Sequence, residues 1–193
     1  MKAAVGATET PSELRLRPAR PEDRFRLRRW LAVPEIAAGR GSAAGAEAEL
    51  TLALGSEAAL ARIIEVGLDP VGYAQAVEVG LWGQARPEGL APGTWDIDLF
   101  VGEPAYRGHG LEAAVARLLT EEVFTTTLAV ACCAVVPVRN ETAARAYERA
   151  GFRWQRIWNE GLLGPSWVML KERPGVLPLR RPADPPPPAA GKR

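Results

Sequence analysis

"TWDIDLFVGEPAYRGHGLEAAVARLL", residues 94–119, decides how the rest of the chain is read. It opens with strict alternation. Trp95, Ile97 and Leu99 fall on one face of an extended strand, and Asp96, Asp98 and Phe100 on the other. It closes on an apolar helical pattern that predicts a helix from Leu111 to about residue 124. Between them lies the turn "RGHG", with Gly108 and Gly110. A helix start exposes unpaired N–H groups and the positive end of the helix dipole, and glycines let a ligand approach the backbone. Strand, glycine turn and helix together form an arrangement that binds pyrophosphate in unrelated proteins. A tight strand-to-helix connection would use the same residues, so the turn alone leaves both readings open. Glu112 sharpens the question, because it puts a carboxylate in the first helical turn, where a phosphate would want no rival.

Working outward, "ELRLRPA" alternates and reads as a first strand, and "PEDRFRLRRWLAV" follows as a helix opened by Pro21 and two acids. "AEAELTLAL" reads as a second helix. "ARIIEVG" and "VGYAQAVEV" form a hairpin around "LDP", and the Gly- and Pro-rich loop "GLWGQARPEGLAPG" leads into the strand at 94. On the far side, "TLAVACCAVV" is nearly continuous in apolar residues and predicts a central strand buried on both faces. "NETAARAYERAG" is a helix with Asn140 at its start and Gly151 as its stop. "FRWQRIW" and "SWVMLK" are the closing strands. The order βααβββαβαββ is a mixed α/β sheet.

The chain has 193 residues, 47% hydrophobic and 24% charged, as an ordinary globular domain would. The reading divides it into a flexible lead (1–12), one domain (13–172) and a proline-rich, disordered tail (173–193). A net charge of +1 argues against a nucleic-acid partner. Arg24, Arg26, Arg28 and Arg29 alternate with Phe25, Leu27 and Trp30, the pattern of an amphipathic helix with solvated arginines. The N-terminus lacks an apolar signal-like run and "LAVACCAVV" is too short to span a bilayer, so the expectation is cytoplasmic, with no membrane partner. Cys132 and Cys133 are neighbours on a strand, point to opposite faces and read as small buried hydrophobes. With His109 the sole histidine, no familiar zinc spacing exists, and no metal is expected.

The joint pattern "WDIDLFVG", "YRGHGL" and "NETAARAYERAGF" resembles the GNAT acyl-coenzyme A transferase superfamily over roughly residues 14–172. Within it, the pattern is most similar to the aminoglycoside N-acetyltransferase branch. The resemblance implies the GNAT fold: a mixed, mostly antiparallel sheet with splayed central strands flanked by helices. It implies acetyl-CoA as co-substrate, with the turn Arg107, Gly108, His109, Gly110, Leu111 and Glu112 at the diphosphate. It further implies that pantetheine pairs with the strand edge near Phe100 and Val101, and that Asn140 contacts the pantetheine arm. Tyr147 matches the tyrosine that protonates the leaving thiolate, and Asp98 an acid on the acceptor side. Taken by themselves, Tyr147 reads equally as a packed aromatic and Asp98 as a solvated strand residue. His109 occupies the variable position of the turn, which suits a diphosphate contact better than a general base.

The chain also departs from that family. Glu112 stands where the pattern has Gly or Ala, crowding a diphosphate and repelling it. "IAAGRG" replaces aromatics after the first helix, Glu88 is the only acid in the loop before the central strand, and Val135 replaces an acid. Trp82 and Trp95 hint at a more apolar substrate site. The expectation is an acetyl-CoA-dependent N-acetyltransferase, monomeric or homodimeric. Its acceptor would be a small primary amine with few charges, and aminoglycosides would serve poorly. A non-catalytic GNAT-fold binding module is the alternative that Glu112 sustains. A siderophore-type hydroxamate acyltransferase would want a histidine on the central strand, which is absent.

Overall fold

In the computed structural model the described residues are 13–37, 39, 43–83, 87–159 and 164–175. The lead at 1–12 and the tail from 176 onward lie outside them. The elements are β1 (Leu14–Pro18), α1 (Arg24–Leu31), α2 (Pro34–Ala37), α3 (Ala43–Gly55), β2 (Ala59–Val66), β3 (Asp69–Glu78) and β4 (Thr94–Val101). After them come α4 (Leu111–Thr126), β5 (Ala131–Pro137), α5 (Glu141–Arg149), β6 (Arg153–Trp158) and β7 (Ser166–Glu172). The strands form one sheet in the order β1-β2-β3-β4-β5-β7-β6. All neighbours are antiparallel except β4 and β5, which run parallel. This is the expected mixed α/β sheet.

Two local readings change. Three helices precede β2 rather than two, because Pro34 opens a further short one. The apolar run at 127 enters its strand only at Ala131, because α4 continues to Thr126 and Leu128 is left 96% exposed in the connection. Past β7, Arg173 still belongs to the packed body: Nε donates to the Ala129 carbonyl and Nη2 to that of Thr127, both at 2.6 Å.

The sheet separates two cores. On one side α4 and α5 pack on it, with Leu111, Val115, Leu119 and Val123 forming a buried stripe at four-residue spacing. Burying such a leucine or valine contributes about 1.5–3 kcal/mol each. On the other side α1, α2 and α3 cover Ile63, Tyr73 and Phe100. All four arginines of α1 find partners. Arg24 donates to Thr51, Arg26 pairs with Asp23, Arg28 with Glu47 and Arg29 with Glu103. Asp23 is buried and accepts two hydrogen bonds from Arg17, each 2.7 Å, and the Arg17 guanidinium holds its carboxyl below the usual carboxylate range. The helix that carries the arginines is thereby tied to β1. Among the described residues no helix is long and apolar enough to cross a membrane.

Candidate active site

The parallel ladder between β4 and β5 has only three pairs, Thr94↔Ala131, Trp95↔Cys132 and Asp96↔Cys133. Both strands then run on, to Val101 and Pro137, without pairing each other. The result is a wedge with its apex at Asp96 and Cys133. Toward its open end β4 leads into the glycine turn, and β5 leads to Asn140 and α5.

The helix α4 starts from Gly110, whose left-handed φ of 77° and that of Gly108, 78°, are conformations a side chain resists. No side chain caps this helix start, so its first N–H groups are left for a ligand or solvent. His109 is exposed, Leu111 is buried beneath the turn, and Glu112 is partly exposed in the first helical turn. The Arg107 side chain turns back onto the strand: Nε donates to the Val101 carbonyl at 3.1 Å and Nη2 to that of Gly102 at 2.9 Å. Its guanidinium thus braces the turn from behind.

Tyr147 sits on the inner face of α5, its ring edge-on to Phe152 with centroids 5.3 Å apart. Its hydroxyl reaches β4 and donates to the Ile97 carbonyl at 3.3 Å, one residue beyond the last ladder pair. The tyrosine therefore reaches into the wedge just beyond its apex. Asn140 is exposed, and its side-chain oxygen accepts from the Ala143 N–H at 3.1 Å, capping α5 as its position in the sequence predicts.

The alternation along β4 sorts the rest. Trp95 and Leu99 pack with the α4–α5 core, as do Ile97 and Val101. Asp96, Asp98 and Phe100 share the opposite face, where Phe100 meets Trp30 and Tyr73, with ring centroids 6.2 and 5.9 Å apart. Asp98 stands opposite Gln75, whose amide donates to Glu49 of α3 at 2.5 Å and whose oxygen accepts from the Tyr73 hydroxyl at 3.0 Å. Trp82 packs on the α1–α3 side of the sheet. The two tryptophans assigned to one substrate site from the sequence are thus on opposite sides of the sheet.

On the Asp98 face, at the wedge apex, a cavity of about 170 Å³ is lined by Glu49, Glu78, Asp96, Cys133, Val135 and Trp158. The sequence predicts an acceptor pocket poor in acids, counted over the loop before β4. The loop contributes no carboxylate to this lining, but α3 brings Glu49 and β4 itself brings Asp96. Glu49 was unreadable without knowing which strand α3 covers. Asp96 had a signal in the sequence, because alternation already placed it beside Asp98.

Cys133 donates its thiol to Asp96 across 3.6 Å. Burial, and then the neighbouring Asp96 charge, push this thiol far above its usual range, and burial pushes Cys132 up to about 12. Both cysteines are expected to ignore an aromatic disulfide in the folded protein and to react fully once it is denatured. Rapid reaction under native conditions would show that the apex opens. Among the described residues no cluster of three or more His, Cys, Asp or Glu is placed to hold a metal.

Residues 20–159 match the family model described as "Acetyltransferase (GNAT) domain". No curated protein matches the chain. Among solved structures, the aminoglycoside acetyltransferase AAC(6')-Ib bound to paromomycin and acetyl-CoA superposes with a TM-score of 0.69 at 25% identity, over 84% of this chain and 94% of that one. The same enzyme with ribostamycin and coenzyme A gives 0.70 at 25% identity, over 84% and 94%. Spermidine N-acetyltransferase from Vibrio cholerae, with CoA and spermine, gives 0.66 at 16% identity, over 83% and 96%, a likeness of fold alone.

Proposed function

Since the chain belongs to the GNAT acetyltransferase family, we propose that it is an acetyl-CoA-dependent N-acetyltransferase acting on a small primary amine. The observation that carries this is the Tyr147 hydroxyl, held beside the apex of a wedge between an uncapped glycine turn and a carboxylate-lined cavity. The diphosphate of acetyl-CoA lies at Arg107–Glu112, touching the backbone N–H groups and His109. The pantetheine arm follows β4 near Phe100 and Val101 and passes Asn140. The thioester then reaches the apex.

An alkylamine is nearly all protonated at neutral pH and must lose a proton before it can attack. Asp98 is the carboxylate that takes it, directly or through water. The neutral nitrogen adds to the thioester carbonyl, the tetrahedral intermediate collapses, and the C–S bond breaks. Tyr147 passes its proton to the departing thiolate. Glu49 and Asp96 hold the rest of the acceptor, which favours an amine carrying more than one ammonium group. Trp82 and Trp95 have no part in this cavity's lining.

The test is calorimetry and thermal shift with acetyl-CoA, followed by thiol release with a panel of amines. At ~100 times its dissociation constant, acetyl-CoA should stabilise the fold by about 2.7 kcal/mol. Absence of both binding heat and thermal shift at millimolar ligand would sink the enzyme reading. Glu112 supports a second reading, a GNAT-fold module with weakened cofactor binding, since its carboxylate shares a helix start with the diphosphate site. Glu112→Gly should tighten acetyl-CoA binding. It should also destabilise the free protein by roughly 1 kcal/mol, through the helix cost of glycine and the lost dipole interaction. Unchanged affinity would mean that Glu112 points away from the anion and is an ordinary first-turn acid.

A further inference from the structure

The connection between β4 and the glycine turn is held from several sides. The N–H groups of Gly102 and Glu103 both donate to the Val71 carbonyl, at 2.8 and 3.0 Å. Arg107 braces the carbonyls of Val101 and Gly102. Trp30 of α1 packs its ring against Gly102 so closely that a Cβ there would come within 2.3 Å of the indole. The Trp30 indole N–H donates to Glu103 Oε1 at 2.8 Å, and Arg29 Nη2 donates to the same oxygen at 2.8 Å. Trp30 is 2% exposed, so its N–H would be left buried and unpaired without Glu103. One carboxylate thus fastens the end of α1 to the chain four residues ahead of Arg107.

We infer that Glu103 and Trp30 are positioning residues for the cofactor turn, through which α1 sets where the chain enters Arg107–Glu112. The inference rests on the reading of that turn as the acetyl-CoA diphosphate site. A preorganised turn binds without first being ordered, and a small misplacement of its N–H groups weakens every contact they make together. The arrangement also draws the Glu103 carboxylate onto Arg29 and the indole.

The test uses the full chain, with Glu103→Ala and Glu103→Gln. Two quantities are read: amide exchange at Gly102, Glu103 and Arg107, and the dissociation constant of acetyl-CoA by calorimetry. In Glu103→Ala the three amides should exchange about tenfold faster and acetyl-CoA should bind about tenfold more weakly, the equivalent of one lost hydrogen bond. Glu103→Gln keeps an oxygen for the indole N–H and should stay near wild type on both counts. Unchanged exchange in Glu103→Ala overturns the inference, and so does faster exchange with undiminished affinity in a protein whose wild type binds acetyl-CoA. A wild type that binds no acetyl-CoA, yet shows the expected exchange pattern, overturns the cofactor reading alone and upholds the fastening of the turn.

Discussion

Tyr147→Phe is expected to lower turnover by about 10²–10⁴-fold and to leave acetyl-CoA affinity little changed. The substitution keeps the ring, and with it the edge contact to Phe152 and the place in the α4–α5 core. It removes one hydroxyl and its hydrogen bond to the Ile97 carbonyl, costing about 1 kcal/mol of stability. A large loss of rate beside so small a loss of stability separates proton donation from packing. On the proposed mechanism the Ile97 carbonyl keeps the hydroxyl beside the wedge apex until the departing thiolate takes its proton. Single-turnover rates with saturating acetyl-CoA are the measurement, since a slow product release would hide the chemical step. A wild-type single-turnover rate in the phenylalanine variant would return Tyr147 to the core.

Most of the fold was legible because its signals are local. The β2–β3 hairpin shows in two strand-like runs around the turn "LDP", and α5 in Asn140 and Gly151, which cap and stop it as they should. The β4, glycine turn and α4 unit shows in the change from two-residue to helical periodicity. The wedge is not a local property. It follows from β4 and β5 pairing at only three positions, which depends on how α4 and α5 seat against the sheet. The same limit explains the site. Glu49 joins Asp96 in one cavity only because α3 lies over the sheet, where Gln75 of β3 donates to it, and a sequence read loop by loop counts such an acid as solvated. Trp95 is a different kind of miss. Alternation along β4 had already put it on the face opposite Asp98, so assigning both to one acceptor site ran against the strand's own periodicity.

The two aspartates of β4 should separate in their kinetics. Asp96 and Asp98 lie two residues apart on one face, but their surroundings differ. Asp96 lines the cavity at the apex, fixed by the Cys133 thiol and accompanied by Glu49. Asp98 lies two residues further along β4 toward the open end, next to Ile97, whose carbonyl holds the Tyr147 hydroxyl, and opposite Gln75. On the proposed mechanism the group that takes the proton from the attacking amine sits beside the tyrosine hydroxyl, and Asp98, next to Ile97, is the proposed base. A group that only holds the acceptor's charge is better placed in the cavity. Asp98→Asn should therefore lower kcat by about 10²-fold at saturating amine, because an amide cannot accept the proton. Asp96→Asn should raise the KM for the amine by roughly tenfold with kcat little affected, because a charged hydrogen bond worth about 1.5–3 kcal/mol becomes a neutral one. The effect at Asp96 should be larger for a diamine than for a monoamine of the same length, since only the former has a second ammonium group to lose its partner. Wild-type turnover in Asp98→Asn would remove it from the mechanism. A fall in kcat with unchanged KM in Asp96→Asn would exchange the two roles and make the residue beside Cys133 the base.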